Sequence, residues 1–168
     1  MFLTSSQAGH ASVVRSGQSL PLRRVLIVDD HPLFAQGLAG LLTQSALADT
    51  VEVADTVEQA VFELSGRYPI GLVLLDVSLQ GETGLMLLPR MSAHKPPVVV
   101  ISSSEDETTV RAAQAAGARG FLPKSAGRAA LIRMVHSVSR GGEYYPGRRS
   151  PPTQIHVLTP RQQDVLAL

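Results

Sequence analysis

Four short stretches of the sequence place acidic, hydroxyl and basic side chains at the ends of apolar runs. Asp29 and Asp30 follow VLIV, Asp76 follows GLVLL, Ser102 follows VVVI, and Lys124 follows GFLP. Carboxylates that meet at a strand end raise each other's pKa unless a cation lies between them. Mg²⁺ prefers such oxygen ligands and keeps several waters. With a hydroxyl and an ammonium beside them, these groups describe a phosphoryl-transfer site in which Asp76 is the nucleophile.

The apolar pattern around these residues predicts alternating strands and helices. Runs at residues 24–30, 50–54, 70–76, 97–102 and 120–122 predict five strands, and helical spacing between and after them predicts the helices. We expect a flavodoxin-like (βα)5 fold, a parallel five-stranded sheet with helices on both faces. In that fold the first and third strands end at the point where strand order reverses, which would bring Asp29, Asp30 and Asp76 together.

Composition and charge exclude several classes of protein. The chain has 168 residues, is 44% hydrophobic, carries a formal charge of +1 and contains no cysteine. It therefore has neither a disulfide framework nor a strong basic field that would attract nucleic acid. No signal-peptide pattern is present, and no apolar run reaches the roughly 18 residues of a membrane span. We expect a cytoplasmic protein without membrane contact.

The motifs VLIVDDHPLF, LVLLDVSLQGETGL, VVVISSSED and GARGFLPKS occur in this order. In that order they resemble the receiver domain of two-component response regulators, in its NarL/FixJ (LuxR-type) branch, and the resemblance runs from about Arg23 to Arg140. It implies that a sensor histidine kinase transfers a phosphoryl group to Asp76 in a Mg²⁺-dependent reaction. It also implies a signalling switch that assists its own phosphorylation and dephosphorylation, not an enzyme, and a homodimer on activation.

The resemblance also implies a role for each matching residue. The implied metal ligands are Asp30, Asp76 and the backbone carbonyl of Ser78, with Asp29 acting through water. The implied switch residues are Ser102 and Phe121, and Lys124 matches the lysine that contacts the phosphoryl group. Phe121 could equally be a plain core residue, and we interpret His31 as a contact at a helix start and not as a metal ligand. The loop Leu79-Gln80-Gly81 lacks the proline common in the family, which leaves its geometry open.

The ends of the sequence differ from its centre. Residues 1–22 lack apolar periodicity and are predicted to be a disordered tail, followed by a receiver at 23–140 and a linker at 141–157. Residues 158–168 contain Thr159 as a helix N-cap and Pro160 at the first helical position, and they resemble the first helix of a LuxR-type helix-turn-helix. Because such a motif reads bases with its second helix, we expect a truncated DNA-binding transcription regulator. DNA binding is expected of the full-length protein's output domain, and not of this fragment.

Three other classes of protein share part of this pattern. A phosphatase of the haloacid dehalogenase type needs an acid two residues after the nucleophile, where this chain has Ser78. A nucleotide-binding Rossmann domain needs a glycine-rich loop after the first strand, where this chain has DDHPLF. A pseudo-receiver, which is regulated without phosphate, remains open, although the acids, hydroxyl and lysine argue against it.

Overall fold

The computed structural model describes residues 22–92 and 96–147, apart from the side chains of Glu82 and Ser92. Its strands are β1 (Leu22–Val28), β2 (Ala48–Ala54), β3 (Leu72–Asp76), β4 (Ser78–Leu79), β5 (Glu82–Thr83), β6 (Val98–Ser102) and β7 (Gly120–Pro123). Its helices are α1 (Pro32–Gln44), α2 (Val57–Leu64), α3 (Leu88–Ser92), α4 (Glu107–Ala115) and α5 (Arg128–Ser139), and a 3₁₀ helix spans Gly84–Leu87.

Five of the strands form one parallel sheet in the order β2-β1-β3-β6-β7. Strand order reverses between β1 and β3, so the carboxyl ends of these two strands and of β6 and β7 line one edge of the sheet. This architecture confirms the predicted fold.

Helices cover both faces of the sheet because the central strands are apolar on both sides. On one face, α1 and α5 pack against side chains that include Ile27 and Leu74. On the other face, α2, α3 and α4 pack against the alternate residues, which include Val28 and Leu75. All five residues of β3 and of β6 are buried, as expected for parallel strands between two helical layers.

Local residue types account for several helix ends. Pro32 begins α1, and Thr56 caps α2 by accepting a hydrogen bond from Gln59 N at 3.2 Å. Gly117 ends the α4 segment at φ +93°, a conformation that favours glycine.

Some boundaries differ from prediction. Strand β1 begins at Leu22, one residue before the predicted start of the receiver, because Leu22 N donates to Leu47 O at 2.9 Å. The predicted tail up to residue 21 and the predicted helix at 158–168 lie outside the described residues. Within the described ranges, no helix has the length and apolar character needed to cross a bilayer.

Candidate phosphoryl-transfer site

The end of β1 carries two carboxylates in different environments. The side chain of Asp29 is 1% exposed and that of Asp30 is 29% exposed. Asp29 Oδ1 accepts a hydrogen bond from His31 N at 2.8 Å. Asp30 instead accepts from the backbone of a neighbouring hairpin, through Gln80 N at 2.9 Å from Oδ2. Both carboxylates are thus held by backbone donors that follow strand ends.

Asp76 ends β3 in the centre of the sheet, and its side chain is 3% exposed. Its Oδ2 accepts a hydrogen bond from Lys124 Nζ at 2.9 Å, and its Oδ1 accepts one from Ser78 N at 3.2 Å. The same ammonium lies 2.8 Å from Asp29 Oδ2. Lys124 therefore joins the carboxylates of β1 and β3.

Lys124 reaches these carboxylates because it comes directly after β7. Its backbone N donates to Ser102 O at 2.7 Å, which continues the pairing of β6 with β7. Its ammonium lies 4.7 Å from the centroid of the Phe34 ring of α1, a cation–π distance.

Burial and ion pairing act in opposite directions on these groups. Burial raises the pKa of Asp76, and hydrogen bonds from Lys124 and Ser78 offset only part of that rise, so the pKa lies above its ordinary value. Burial alone would lower the pKa of Lys124, but its contacts with Asp29 and Asp76 outweigh burial and raise it. The lysine is therefore a cation at neutral pH.

The loop after Asp76, which the sequence left open, forms a small antiparallel hairpin of β4 and β5. Its two turn residues, Gln80 and Gly81, have φ of +53° and +78°, the geometry that suits the tight turn of a two-residue hairpin. This turn supplies the N–H that holds Asp30. Gly84, just after the hairpin, lies so close to the backbone carbonyl of Asp76 that an added Cβ would overlap its oxygen.

The two predicted switch residues lie on β6 and β7. Ser102 is 4% exposed, and its Oγ accepts a hydrogen bond from Ser104 N at 3.0 Å, so its proton is available to another acceptor. Phe121 is fully buried and packs in the same cluster as Tyr145. Its burial fits the core interpretation, and its switching role stays a prediction.

The acidic cluster fits a hard divalent cation. One ligand atom from each of Asp29, Asp30, His31 and Asp76 lies within 4.8 Å of the others. Within the described part of the chain, the buried atoms Asp29 Oδ2 and Asp30 Oδ1 accept no aligned hydrogen bond, although Lys124 Nζ lies 2.8 Å from the first. Buried carboxylate oxygens that accept no aligned hydrogen bond are suitable ligands for a cation.

His31 contributes more to this cluster than the sequence interpretation assigned to it. Its Nδ1 lies 2.9 Å from Asp29 Oδ1, as expected of a helix-start contact, but also 3.0 Å from Asp30 Oδ1 and 3.5 Å from Asp76 Oδ2. Its position next to Asp30 in the sequence was the available signal.

Comparison with known proteins agrees with this geometry. The family model of the response regulator receiver domain matches residues 25–136 of this sequence. The chain therefore belongs to that family. It is 31% identical over 159 residues to the transcriptional activator protein ExaE of Pseudomonas putida, covering 86% of this chain and 74% of that relative. It is 28% identical over 159 residues to the nitrate/nitrite response regulator protein NarL of Escherichia coli K12, covering 86% and 73%.

A solved structure shows the same likeness. A LuxR family DNA-binding response regulator from Silicibacter pomeroyi has a TM-score of 0.62 at 38% identity, covering 76% of this chain and 98% of that chain. These relatives confirm the predicted NarL-type, LuxR-family branch and its general role, the control of transcription by a two-component system.

Proposed function

We propose that Asp76 is the phosphoacceptor of this receiver. The observation that carries the proposal is the position of the Asp76 carboxylate. It lies at the carboxyl end of the central strand, 2.9 Å from Lys124 Nζ and beside Asp29 and Asp30. An ionised carboxylate oxygen attacks the phosphorus of a phosphohistidine on a sensor kinase. The new O–P bond forms as the N–P bond breaks, and the electron pair of that bond leaves with the donor imidazole.

The surrounding residues have distinct tasks in this proposal. Lys124 pairs with a phosphoryl oxygen, and the Ser102 hydroxyl donates to another. Asp30, Asp76 and the Ser78 carbonyl hold Mg²⁺, and Asp29 acts through water. When bound, the ion neutralises charge on the phosphoryl oxygens. These residues also assist loss of the phosphoryl group to water, so the chain is a signalling switch.

A groove beside Lys124 supports a protein as the phosphoryl donor. It has a volume of about 420 Å³ and lies between α1 and the segment that follows β7. Its rim includes Leu33, which is 87% exposed one turn from the acidic cluster. An apolar rim at the mouth of the site suits a helix of the donor.

A matched pair of variants tests this surface. Leu33→Ser should slow phosphoryl transfer from a histidine kinase and leave labelling by acetyl phosphate unchanged. Phe62→Ser is the control, because Phe62 is also a large apolar side chain that is exposed (76%) but lies on α2. It should change neither the transfer from the kinase nor the labelling by acetyl phosphate. Equal slowing by both variants would place the donor elsewhere.

The remaining parts of the proposal concern the assembly. Phosphorylation changes the surface formed by α4 and β7 through Ser102 and Phe121, and so promotes a homodimer and controls the DNA-binding domain of the full-length protein. The domain bounds of the sequence analysis and a cytoplasmic location accompany this proposal, since a transcription regulator works where the DNA is.

Labelling tests the phosphoacceptor directly. With acetyl phosphate and Mg²⁺, the wild-type chain should gain the mass of one phosphoryl group, and Asp76→Asn should gain none while keeping its circular dichroism spectrum. Asp55→Asn is the matched control, because Asp55 directly follows β2 but is exposed; it should label normally. Absence of uptake by wild type, with beryllofluoride as well, would favour the pseudo-receiver, and label on Asp76→Asn would move the nucleophile.

A further inference from the structure

The outer edge of β7 is covered by a segment that the (βα)5 pattern does not include. After α5, residues 143–145, called the linker strand below, return along this edge, and Tyr144 forms a parallel bridge with Gly120. Tyr144 N donates to Arg119 O at 3.1 Å, and Phe121 N donates to Tyr144 O at 2.7 Å. The chain thus pairs its own linker with the last strand of the sheet, which protects an edge that would otherwise be open.

Glycine is required for this close approach. A Cβ on Gly120 would lie 2.8 Å from Tyr144 O and 3.4 Å from the Tyr144 Cβ. The turn that leads back from α5 is also held, because Ser137 Oγ donates to Glu143 O at 2.8 Å and Gly142 N donates to Ser137 O at 3.0 Å. The linker strand is therefore held against β7 and the end of α5 by specific backbone and side-chain contacts.

Tyr145 anchors the linker strand in the core. It is 6% exposed and packs in the cluster that contains Ala113, Ala118 and Phe121. Its hydroxyl donates a hydrogen bond to Ala118 O. A buried tyrosine needs both a pocket for its ring and a partner for its hydroxyl, so these contacts fix the linker strand in one position on β7.

The same short strand touches both the linker and the phosphoryl-transfer site. Phe121 N donates to Tyr144 O of the linker strand, and the Phe121 ring belongs to the same buried cluster as Tyr145. Lys124, three residues later, contacts Asp76. Because buried clusters are close-packed, movement of the Phe121 ring would alter the packing of the cluster that holds Tyr145. A ligand that favours one position of this ring must then also favour or disfavour docking of the linker strand.

We propose that phosphorylation of Asp76 weakens docking of the linker strand on β7, which frees the linker to reposition the output domain. This inference rests on the proposed function and adds to it the element that carries the signal out of the domain. Because the coupling between two binding equilibria is reciprocal, docking of the linker strand should in turn weaken occupancy of Asp76 by a phosphoryl group or its analogue.

Hydrogen exchange of the full chain followed by mass spectrometry tests the proposal. With Mg²⁺ present, beryllofluoride should make the amides of residues 142–147 exchange about tenfold faster, within the usual range of coupling between sites. Fluorine NMR reports separately whether Asp76 holds beryllofluoride. Unchanged or slower exchange with Asp76 occupied overturns the linker proposal alone, whereas failure of Asp76 to bind beryllofluoride overturns the proposed function and this inference with it.

Two tyrosine variants supply the reciprocal test. Tyr145→Phe removes only the hydroxyl that binds Ala118 O, so residues 142–147 should exchange severalfold faster without beryllofluoride, and the half-saturating beryllofluoride concentration should fall by a similar factor. Tyr144→Phe is the control, because Tyr144 docks through its backbone; it should change neither value. A Tyr145→Phe variant that exchanges faster but binds beryllofluoride like wild type would show that docking and phosphorylation are independent.

Discussion

Replacement of Lys124 by methionine tests the electrostatic arrangement of the site most directly. Methionine keeps an unbranched apolar chain against Phe34 but removes the ammonium that lies 2.8 Å from Asp29 Oδ2 and 2.9 Å from Asp76 Oδ2. Those two carboxylates are 1% and 3% exposed. The variant therefore leaves two buried negative charges without their cation.

The cost can be bounded from these distances. At an effective dielectric constant of about 20, each contact contributes roughly 5 to 6 kcal/mol of attraction before the cost of desolvation. Removing one partner of a buried ion pair typically costs 3 to 5 kcal/mol, and we expect about 3 kcal/mol here because Asp30 and His31 open the site to water. The loss should appear in urea unfolding at neutral pH in the presence of a chelator.

The pH dependence of the loss follows from Asp76. Its pKa is raised in the folded protein by burial, so its ionisation opposes folding, and removal of Lys124 raises that pKa further. The destabilisation should therefore be greatest above the pKa of Asp76 in the variant. It should fade as pH falls towards the raised pKa of Asp76 in the wild type, below which the carboxyl is protonated in both folded proteins. Mg²⁺ should restore more stability to the variant than to wild type, because a cation then replaces the ammonium.

A surface variant provides the control for Lys124→Met. Arg111→Met removes a cation whose pair with Glu107 is exposed on both sides, and it should cost no more than about 0.5 kcal/mol. Equal stability of Lys124→Met and wild type in chelator, or an equal gain from Mg²⁺, would refute the reasoning, because the ammonium would then not balance these carboxylates.

Two further variants test the surroundings of the site. Gly84→Ala should lower the free energy of unfolding by about 1 to 3 kcal/mol and impair beryllofluoride binding, because its Cβ would overlap the Asp76 carbonyl oxygen. Gly37→Ala in α1 should instead be neutral or stabilising, since no atom of the described residues, apart from its chain neighbours and its own helix backbone, lies within 4 Å of its Cβ position. Similar effects of both variants would contradict the packing argument. Asp106 caps α4, and hydrogen bonds from Ser104 and Thr109 lower its pKa to about 2, so its stabilising contribution is present above pH 3.8 and is lost as pH falls towards 2. Asp106→Asn keeps a cap that cannot titrate and should flatten thermal unfolding across that window; an unchanged slope would reject this assignment.

Local patterns in the sequence were sufficient for the sheet and for most of the site. Continuous apolar runs predict buried parallel strands because such strands face helices on both sides. The rule that ligand sites lie at the carboxyl ends of parallel strands then brings Asp29, Asp30 and Asp76 together. Side chains that directly follow these strands, such as Lys124, could be assigned to the site because the strand itself sets their position.

Contacts between segments that are distant in the sequence were decided only by the tertiary structure. Three contacts depend on how two segments of the chain approach each other: Gln80 N with the Asp30 carboxylate, Gly84 with the Asp76 carbonyl, and Tyr144 with the edge of β7. No periodicity predicts such approaches, because they depend on where one chain segment leaves room for another. The types of the side chains that cluster at this edge of the sheet could be predicted from the sequence, whereas the backbone donors that hold them and the linker strand on β7 required the folded chain.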